Sequence, residues 1–403
     1  MNLNPELSDP EVSVLLHFAA WQGLLESQVR VELSERYNRQ TDPALERHIE
    51  QVWTERVSKE PWLFNGAKFR LHSFHLASPK YFPSSPITLK HPACSLSAPI
   101  SSLSSVEDQK AEFHSRKRWE ENLDAVHEDL VTERTAQNRV DGRNLPANLR
   151  ETVHCDCRAS ESVTAHCSDK NKNVEDSRPF LTFRLGLTCY KDFLGTNWSS
   201  RAAELRRHGE AEFGDPLALL AQPLGVGAVL CTDDGQVVLL RRSQQVAEAG
   251  GLLDIPGGHP EPKAVCEEWI SVATLQQRPG AVVSELFSSV CAEIRDEVNV
   301  PLSSLGPPVL MGVALNHTSA GRPSAEFFIS CSLFSDAVRK LYWKGGPEAH
   351  ESTDIVFLSR KEILQLDSSS PLWLELCPSA KGAVLLYQMV KPDRTRPEQN
   401  GIS

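Results

Sequence analysis

Residues 282–298, "VVSELFSSVCAEIRDEV", carry two carboxylates, Glu293 and Glu297, four positions apart. On a helix that spacing stacks one above the other, a like-charge pair that costs a few tenths of a kcal/mol. A divalent cation would reverse the sign of that term. Mg²⁺ takes hard oxygen ligands, typically one or two carboxylates completed by water and substrate phosphate. The other reading is a solvated acidic face, the commoner fate of an isolated pair at this spacing. Asp296 lies on the outer side of the same flank, where it could assist or hold a water. A second set of ligand-type residues is Cys155, Cys157 and Cys167 with His154 and His166. Their C-x-C spacing is unusual for structural zinc and no patterned element supports them, so a polar stretch without a metal is the preferred reading.

The carboxylates need a helix, and the pattern supplies one. Val283, Leu286, Phe287, Val290 and Ile294 share a face that must be core, with Glu293 and Glu297 on its flank. Upstream, "GLLDIPGGHPEP" reads as a short strand running into a glycine-rich loop. "GVGAVLCTDDGQVVLLRRS" reads as a hairpin around a "DDG" turn. "VLMGVALN", "AEFFISCSLF" and "TDIVFLS" are further strands, and "KGAVLLYQMV" is a C-terminal helix. This order predicts an α+β fold, an α/β/α sandwich with a mixed sheet, over residues 219–392. Residues 10–77 and 179–218 are expected to form a small N-terminal α/β domain. Within it, "DPALERHIEQVWTERVSKEPWLF" places Ile49, Val52, Trp53 and Val57 on one face of a helix stopped by Pro61, and the alternating stretch 67–77 is expected to pair with 179–190. Between those strands, residues 78–178 are rich in Ser, Pro and charge without period. They are expected to be a largely disordered insertion, and residues 393–403 a loose tail.

Composition bounds the partners. The 403-residue chain is 40% hydrophobic with a formal net charge of −11, which argues against a nucleic-acid polymer as partner. No stretch is long and apolar enough to span a membrane. Without a secretory pattern, the cytoplasm is the expected compartment, the nucleus being the other one open to it. Nothing in the sequence fixes an oligomeric state.

The glycine loop and acidic helix together resemble the Nudix box, G-x5-E-x7-R-E-U-x-E-E-x-G-U, where U is aliphatic. Gly258 matches the first glycine, and Glu293, Ile294, Asp296, Glu297 and Val300 match the second half. Ala292 stands for the arginine, Asp296 for a glutamate and Asn299 for the second glycine. About twenty extra residues separate loop from helix, and Glu285 is one residue out of register for the early glutamate. The wider set "EPWLFNGAKFRLHS", "RLGLTCYKDFLGTNWSS", "LRRSQQVAEAGGLLDIPGGHPEP", "TSAGRPSAEFF", "GGPEAHEST" and "ELCPSAKGA" resembles the Nudix hydrolases that cleave UDP-glucose and UDP-galactose.

That resemblance implies Mg²⁺-dependent hydrolysis of the diphosphate of these two sugars, giving UMP and a hexose 1-phosphate. The alternatives are a non-catalytic UDP-sugar binder and a Nudix hydrolase of another nucleoside diphosphate derivative. It implies Glu293 and Glu297 as metal ligands and catalytic groups. It implies substrate contacts at Phe64, Tyr190, Arg242, Ala247, Asp254, His259, Glu261 and Ser379. Phe64 and Tyr190 would take the uridine and Arg242 the diphosphate. The general base stays open between Glu351 and Glu285.

Overall fold

The computed structural model describes residues 9–77, 180–246, 248–267 and 269–393, all within one compact unit. The expected insertion at 78–178, its cysteines and histidines, the tail after Asp393, and Ala247 lie outside the described residues.

The described strands are β1 (Val12–His17), β2 (Val29–Leu33), β3 (Ala67–Ala77), β4 (Phe180–Cys189), β5 (Gly225–Cys231), β6 (Gln236–Arg242), β7 (Leu253–Asp254), β8 (Gly257–Gly258), β9 (Val309–Asn316), β10 (Arg322–Ser330) and β11 (Ser352–Ser359). The helices are α1 (Pro43–Lys59), α2 (Tyr190–Gly195), α3 (Ala202–Phe213), α4 (Pro262–Val265), α5 (Val272–Gln276), α6 (Pro279–Val298), α7 (Ser335–Tyr342), α8 (Arg360–Gln365) and α9 (Pro378–Val390).

A three-stranded sheet runs β2-β4-β3, with β2 parallel and β3 antiparallel to β4. The β3–β4 pairing extends to Ala77 opposite Phe180, so the chain leaves and re-enters this hairpin at adjacent points. Helix α1 starts where Asp42 accepts the Ala44 and Leu45 N–H groups, both at 2.9 Å, with Pro43 in the first turn. Such a cap satisfies backbone donors that have no helical partner. Arg70 of β3 is fully buried, donating to the carbonyls of Tyr37, Leu217 and Leu220. It ties this sheet to the segment entering β5.

The larger sheet runs β1-β9-β10-β5-β6-β11, with β10 and β5 parallel and the other pairs antiparallel. It is therefore mixed, as expected. Strand β1 belongs to it, although in sequence it stands among residues 10–77. Helix α6 covers one face, sending Val282, Leu286, Phe287, Val290 and Ile294 into the cluster holding Val226, Ala228 and Phe327. The rings of Phe287 and Phe327 meet edge to face, centroids 5.0 Å apart. Helix α9 covers the other face, packing Val384, Leu386 and Tyr387 in the cluster holding Val229, Met311 and Phe328. Two helical layers on one sheet give the expected sandwich. Among the described residues no helix is long and apolar enough to cross a membrane.

The expected β5–β6 hairpin is present but splayed. Its only directly paired residues are Cys231 and Val237. Beyond them β5 pairs with β8 and β6 with β7, so residues 253–258 fill the gap between the diverging strands. The continuous apolar run of β5 is buried at every position, as befits a central strand, and its free edge goes to β10. This opening places the glycine loop beside the acidic helix.

Candidate active site

Glu293 and Glu297 project from the last two turns of α6 against β8. The Gly257 N–H donates to Glu297 Oε2 at 3.0 Å. A Cβ on Gly258 would lie 1.9 Å from Glu293 Oε1. Glycine is thus required by the close approach of a carboxylate to backbone, not by turn geometry. Glu297 is only 8% exposed. Burial, then the charge of Glu293, pushes its carboxyl well above the usual range. Burial, followed by Glu348, pushes Glu293 up to about 7, partly relieved by the His259 backbone N–H. Two carboxylates that burial and repulsion both disfavour in the charged form are held together at the end of one helix.

That chemistry fits a divalent cation, which would replace mutual repulsion with attraction. Among the described residues no group of three or more His, Cys, Asp and Glu is arranged to hold a metal ion. A cation here would draw its other ligands from water or substrate, the habit of Mg²⁺ rather than of a closed structural site.

The end of α6 also explains one departure from the Nudix box. Asn299 sits at φ 63°, in the left-handed region, as the residue closing the helix, and its side-chain amide donates to the Leu341 carbonyl at 2.9 Å. Asn is the residue best able to replace glycine there. Glu285, out of register by sequence, accepts the Glu261 N–H at 2.9 Å and so steadies the glycine loop. Asp296 is paired with Arg295 through two bonds of 2.6 Å, which places it in a local ion pair on the outer side of the helix.

The expected substrate positions fall into three groups. Asp254, Arg242 and Ser379 form one: Arg242 Nη1 donates to Asp254 Oδ2 at 3.0 Å, and the Ser379 hydroxyl reaches Asp254 Oδ1 at 3.1 Å. Arg242 also donates through Nε to the Glu248 carbonyl at 3.0 Å, so two of its N–H groups are already committed to protein. His259 and Glu261 form the second group, following β8. Lys68 Nζ of β3 meets Glu261 at 2.7 Å, and His259 Nε2 lies 3.2 Å from Arg322 Nη1. Burial, then Arg322 and Lys68, holds His259 well below the ordinary imidazole range.

Tyr190 and Phe64 form the third. Tyr190 opens α2, half-buried, its ring 6.5 Å from that of Trp53 and 6.4 Å from that of Phe193. Phe64 is 75% exposed. The Tyr190 N–H bonds the Gly66 carbonyl at 3.1 Å, so the loop carrying Phe64 is fastened to the start of α2.

Sequence reasoning assigned no role to several residues found here. Glu348, in the same loop as Glu351, is the charge felt most strongly at Glu293. Lys68 brings a cation from the smaller sheet. Arg322 and Glu248 pair at 3.1 Å. Glu326 of β10 is completely buried. Burial pushes its carboxyl up to about 8, partly relieved by the neighbouring Ser324 hydroxyl, with the Asp254 charge adding to the rise. Arg322 and Glu326 lie in "TSAGRPSAEFF", a stretch that carries the family resemblance without singling out either residue.

No family model matches the chain. A protein of Bos taurus named uridine diphosphate glucose pyrophosphatase NUDT22 is 41% identical over 388 residues, 96% of this chain and 100% of that protein. The Homo sapiens protein of the same name is 40% identical, over 96% of this chain and 95% of its own length. Nudix hydrolase 9 of Arabidopsis thaliana is 33% identical over 210 residues, 51% of this chain and 67% of that one. The chain belongs to the Nudix hydrolase family.

As a Nudix hydrolase it is an enzyme whose family generally uses divalent cations. A crystal structure of a Nudix hydrolase from Alicyclobacillus acidocaldarius aligns with a TM-score of 0.28 at 14% identity, over 42% of this chain and 91% of that one, a likeness too low to argue from.

Proposed function

We propose that this Nudix hydrolase cleaves the diphosphate of UDP-glucose and UDP-galactose in a Mg²⁺-dependent reaction, giving UMP and a hexose 1-phosphate. The observation that carries the reading is the Glu293–Glu297 pair, Glu297 buried and Glu293 half-buried, closed over Gly257 and Gly258. The names of the relatives, uridine diphosphate glucose pyrophosphatases, support the substrate class.

Glu293 and Glu297 would hold the cation, which when bound neutralises diphosphate charge and supplies an acidified water. The chain does the rest. Phe64 and Tyr190 offer ring faces to the uracil, where stacking contributes roughly 1–3 kcal/mol per base by analogy with single-strand binding. Asp254, oriented by Arg242 and Ser379, accepts from a uracil N–H or ribose hydroxyl. Arg242 and His259 face the phosphates, and Glu261 and Ala247 are further proposed substrate contacts. Of the two candidate bases Glu351 is favoured, because Glu285 has an oxygen occupied by the Glu261 N–H. Six described cysteines are free thiols, which supports a cytoplasmic or nuclear setting.

Hydrolysis in ¹⁸O-labelled water tests the reaction type. Label is expected in one phosphate product only. Label on the sugar hydroxyl would mean glycosidic cleavage and overturn the reading. In the same assay Glu351→Gln is expected to lower kcat about 100-fold, the range for a positioned general base, and Glu285→Gln much less.

A further inference from the structure

We propose that Arg322 is a positioning residue that fixes the proton of His259 on Nδ1, so that this N–H, and not Nε2, is presented to the diphosphate. This deepens the proposed function and rests on His259 being a phosphate contact.

The chemistry follows from donors and acceptors. A guanidinium has only N–H donors. Arg322 Nη1 lies 3.2 Å from His259 Nε2, so Nε2 must be the acceptor, and the neutral ring carries its proton on Nδ1. Arg322 is itself held. Its Nη2 donates to Glu248 Oε2 at 3.1 Å, and the Ser319 hydroxyl bonds the other oxygen of Glu248. The guanidinium lies 5.8 Å from the Phe193 ring centroid, on the helix that Tyr190 opens. Strand β10 fixes the Arg322 backbone opposite Asn316, directly after a left-handed turn at Ala320 and Gly321. A planar fork bridging two partners suits this place, because one nitrogen anchors on Glu248 while the other addresses the imidazole.

Glu248 joins the two halves of the site. Its carboxylate holds Arg322, and its backbone carbonyl accepts from Arg242 Nε at 3.0 Å. One residue thus sets both the arginine facing Asp254 and the arginine facing His259.

The test uses the purified full chain with Mg²⁺. Long-range ¹H–¹⁵N spectra, with His259→Gln to identify the His259 signals, read the tautomer directly. The wild-type ring is expected to be neutral with its proton on Nδ1. Arg322→Met is expected to lose that preference and to lower kcat for UDP-glucose about 10-fold, the lower range for removing a group that orients a functional histidine, with little change in KM. Arg322→Lys, which keeps a donor, is expected to retain the tautomer and most of the rate. The double variant Arg322→Met/His259→Gln is expected to lose no more than His259→Gln alone, because residues acting in series are not additive. A wild-type proton on Nε2, or losses that multiply in the double variant, would overturn the proposal. The wild-type spectrum decides even where Arg322→Met does not fold. It also reads the tautomer whether or not UDP-glucose is the substrate, so the two readings fail separately.

Discussion

Glu293 and Glu297 show how little of a site a single residue decides. Their spacing was readable, but four-apart carboxylates occur on many solvated helices. What distinguishes these is burial against β8, with Gly257 donating to one and Gly258 leaving room for the other. Glu293→Gln and Glu297→Gln should each remove most turnover with the fold intact, since Gln keeps the size and loses the charge that Mg²⁺ needs. Thermal melts should show Mg²⁺ stabilising the wild type and neither variant. Near-normal rates in both variants would put the metal elsewhere. Gly258→Ala is a sharper test. Its methyl would meet Glu293 Oε1 at 1.9 Å, so it should displace that carboxylate and lower kcat about as far as Glu293→Gln, at a stability cost of about 1–3 kcal/mol. Wild-type kinetics in a folded Gly258→Ala enzyme would show that the contact does not matter.

Elements were more legible than side-chain partners. The apolar face of α6 and the helix at α9 follow from period, and the pairing of β3 with β4 from the alternation of both stretches. The splaying of β5 from β6 does not, because it depends on β7 and β8, two-residue strands that carry no period of their own. Partners such as Arg322–His259, 63 positions apart, have no local signature at all.

Two predictions belong to this scale. Because Ala77 stands opposite Phe180, replacing the roughly hundred residues between them with a short Gly-containing turn should preserve the hairpin. It should lower closure cost by roughly 2–3 kcal/mol on the logarithmic model. A melt of the shortened chain should be no lower than the parent, and an insoluble product would show that the segment is needed. On β10, Glu326 faces Gly312 on β9 and Gly227 on β5 and is completely buried. With its carboxyl raised to about 8, against about 4.3 for an unperturbed glutamate, the folded state binds the extra proton between those pH values. Stability therefore falls as pH rises through that window. Glu326→Gln should remove this loss, gaining about 1–4 kcal/mol over wild type between pH 5 and pH 8. A difference in stability that does not change with pH would contradict the assignment.

At the scale of the whole molecule, the site draws on both sheets. Lys68 from the smaller sheet meets Glu261 of the glycine loop, and Tyr190 opens a helix directly after β4. Strand β1 joins the larger sheet from the start of the described chain, so residues 10–77 contribute to both. The class of fold was legible because two amphipathic helices and a mixed set of strands allow few arrangements. The proposed substrate has no signature in composition or period and comes from resemblance, because substrate choice resides in a few side chains placed by loops.

The most direct test is to incubate the purified chain with Mg²⁺ and UDP-glucose and identify the products. UMP and glucose 1-phosphate in equal amounts are expected, with the reaction abolished by chelator and restored by Mg²⁺. UDP and free glucose, or no turnover in the presence of Mg²⁺, would contradict the function proposed for Glu293 and Glu297.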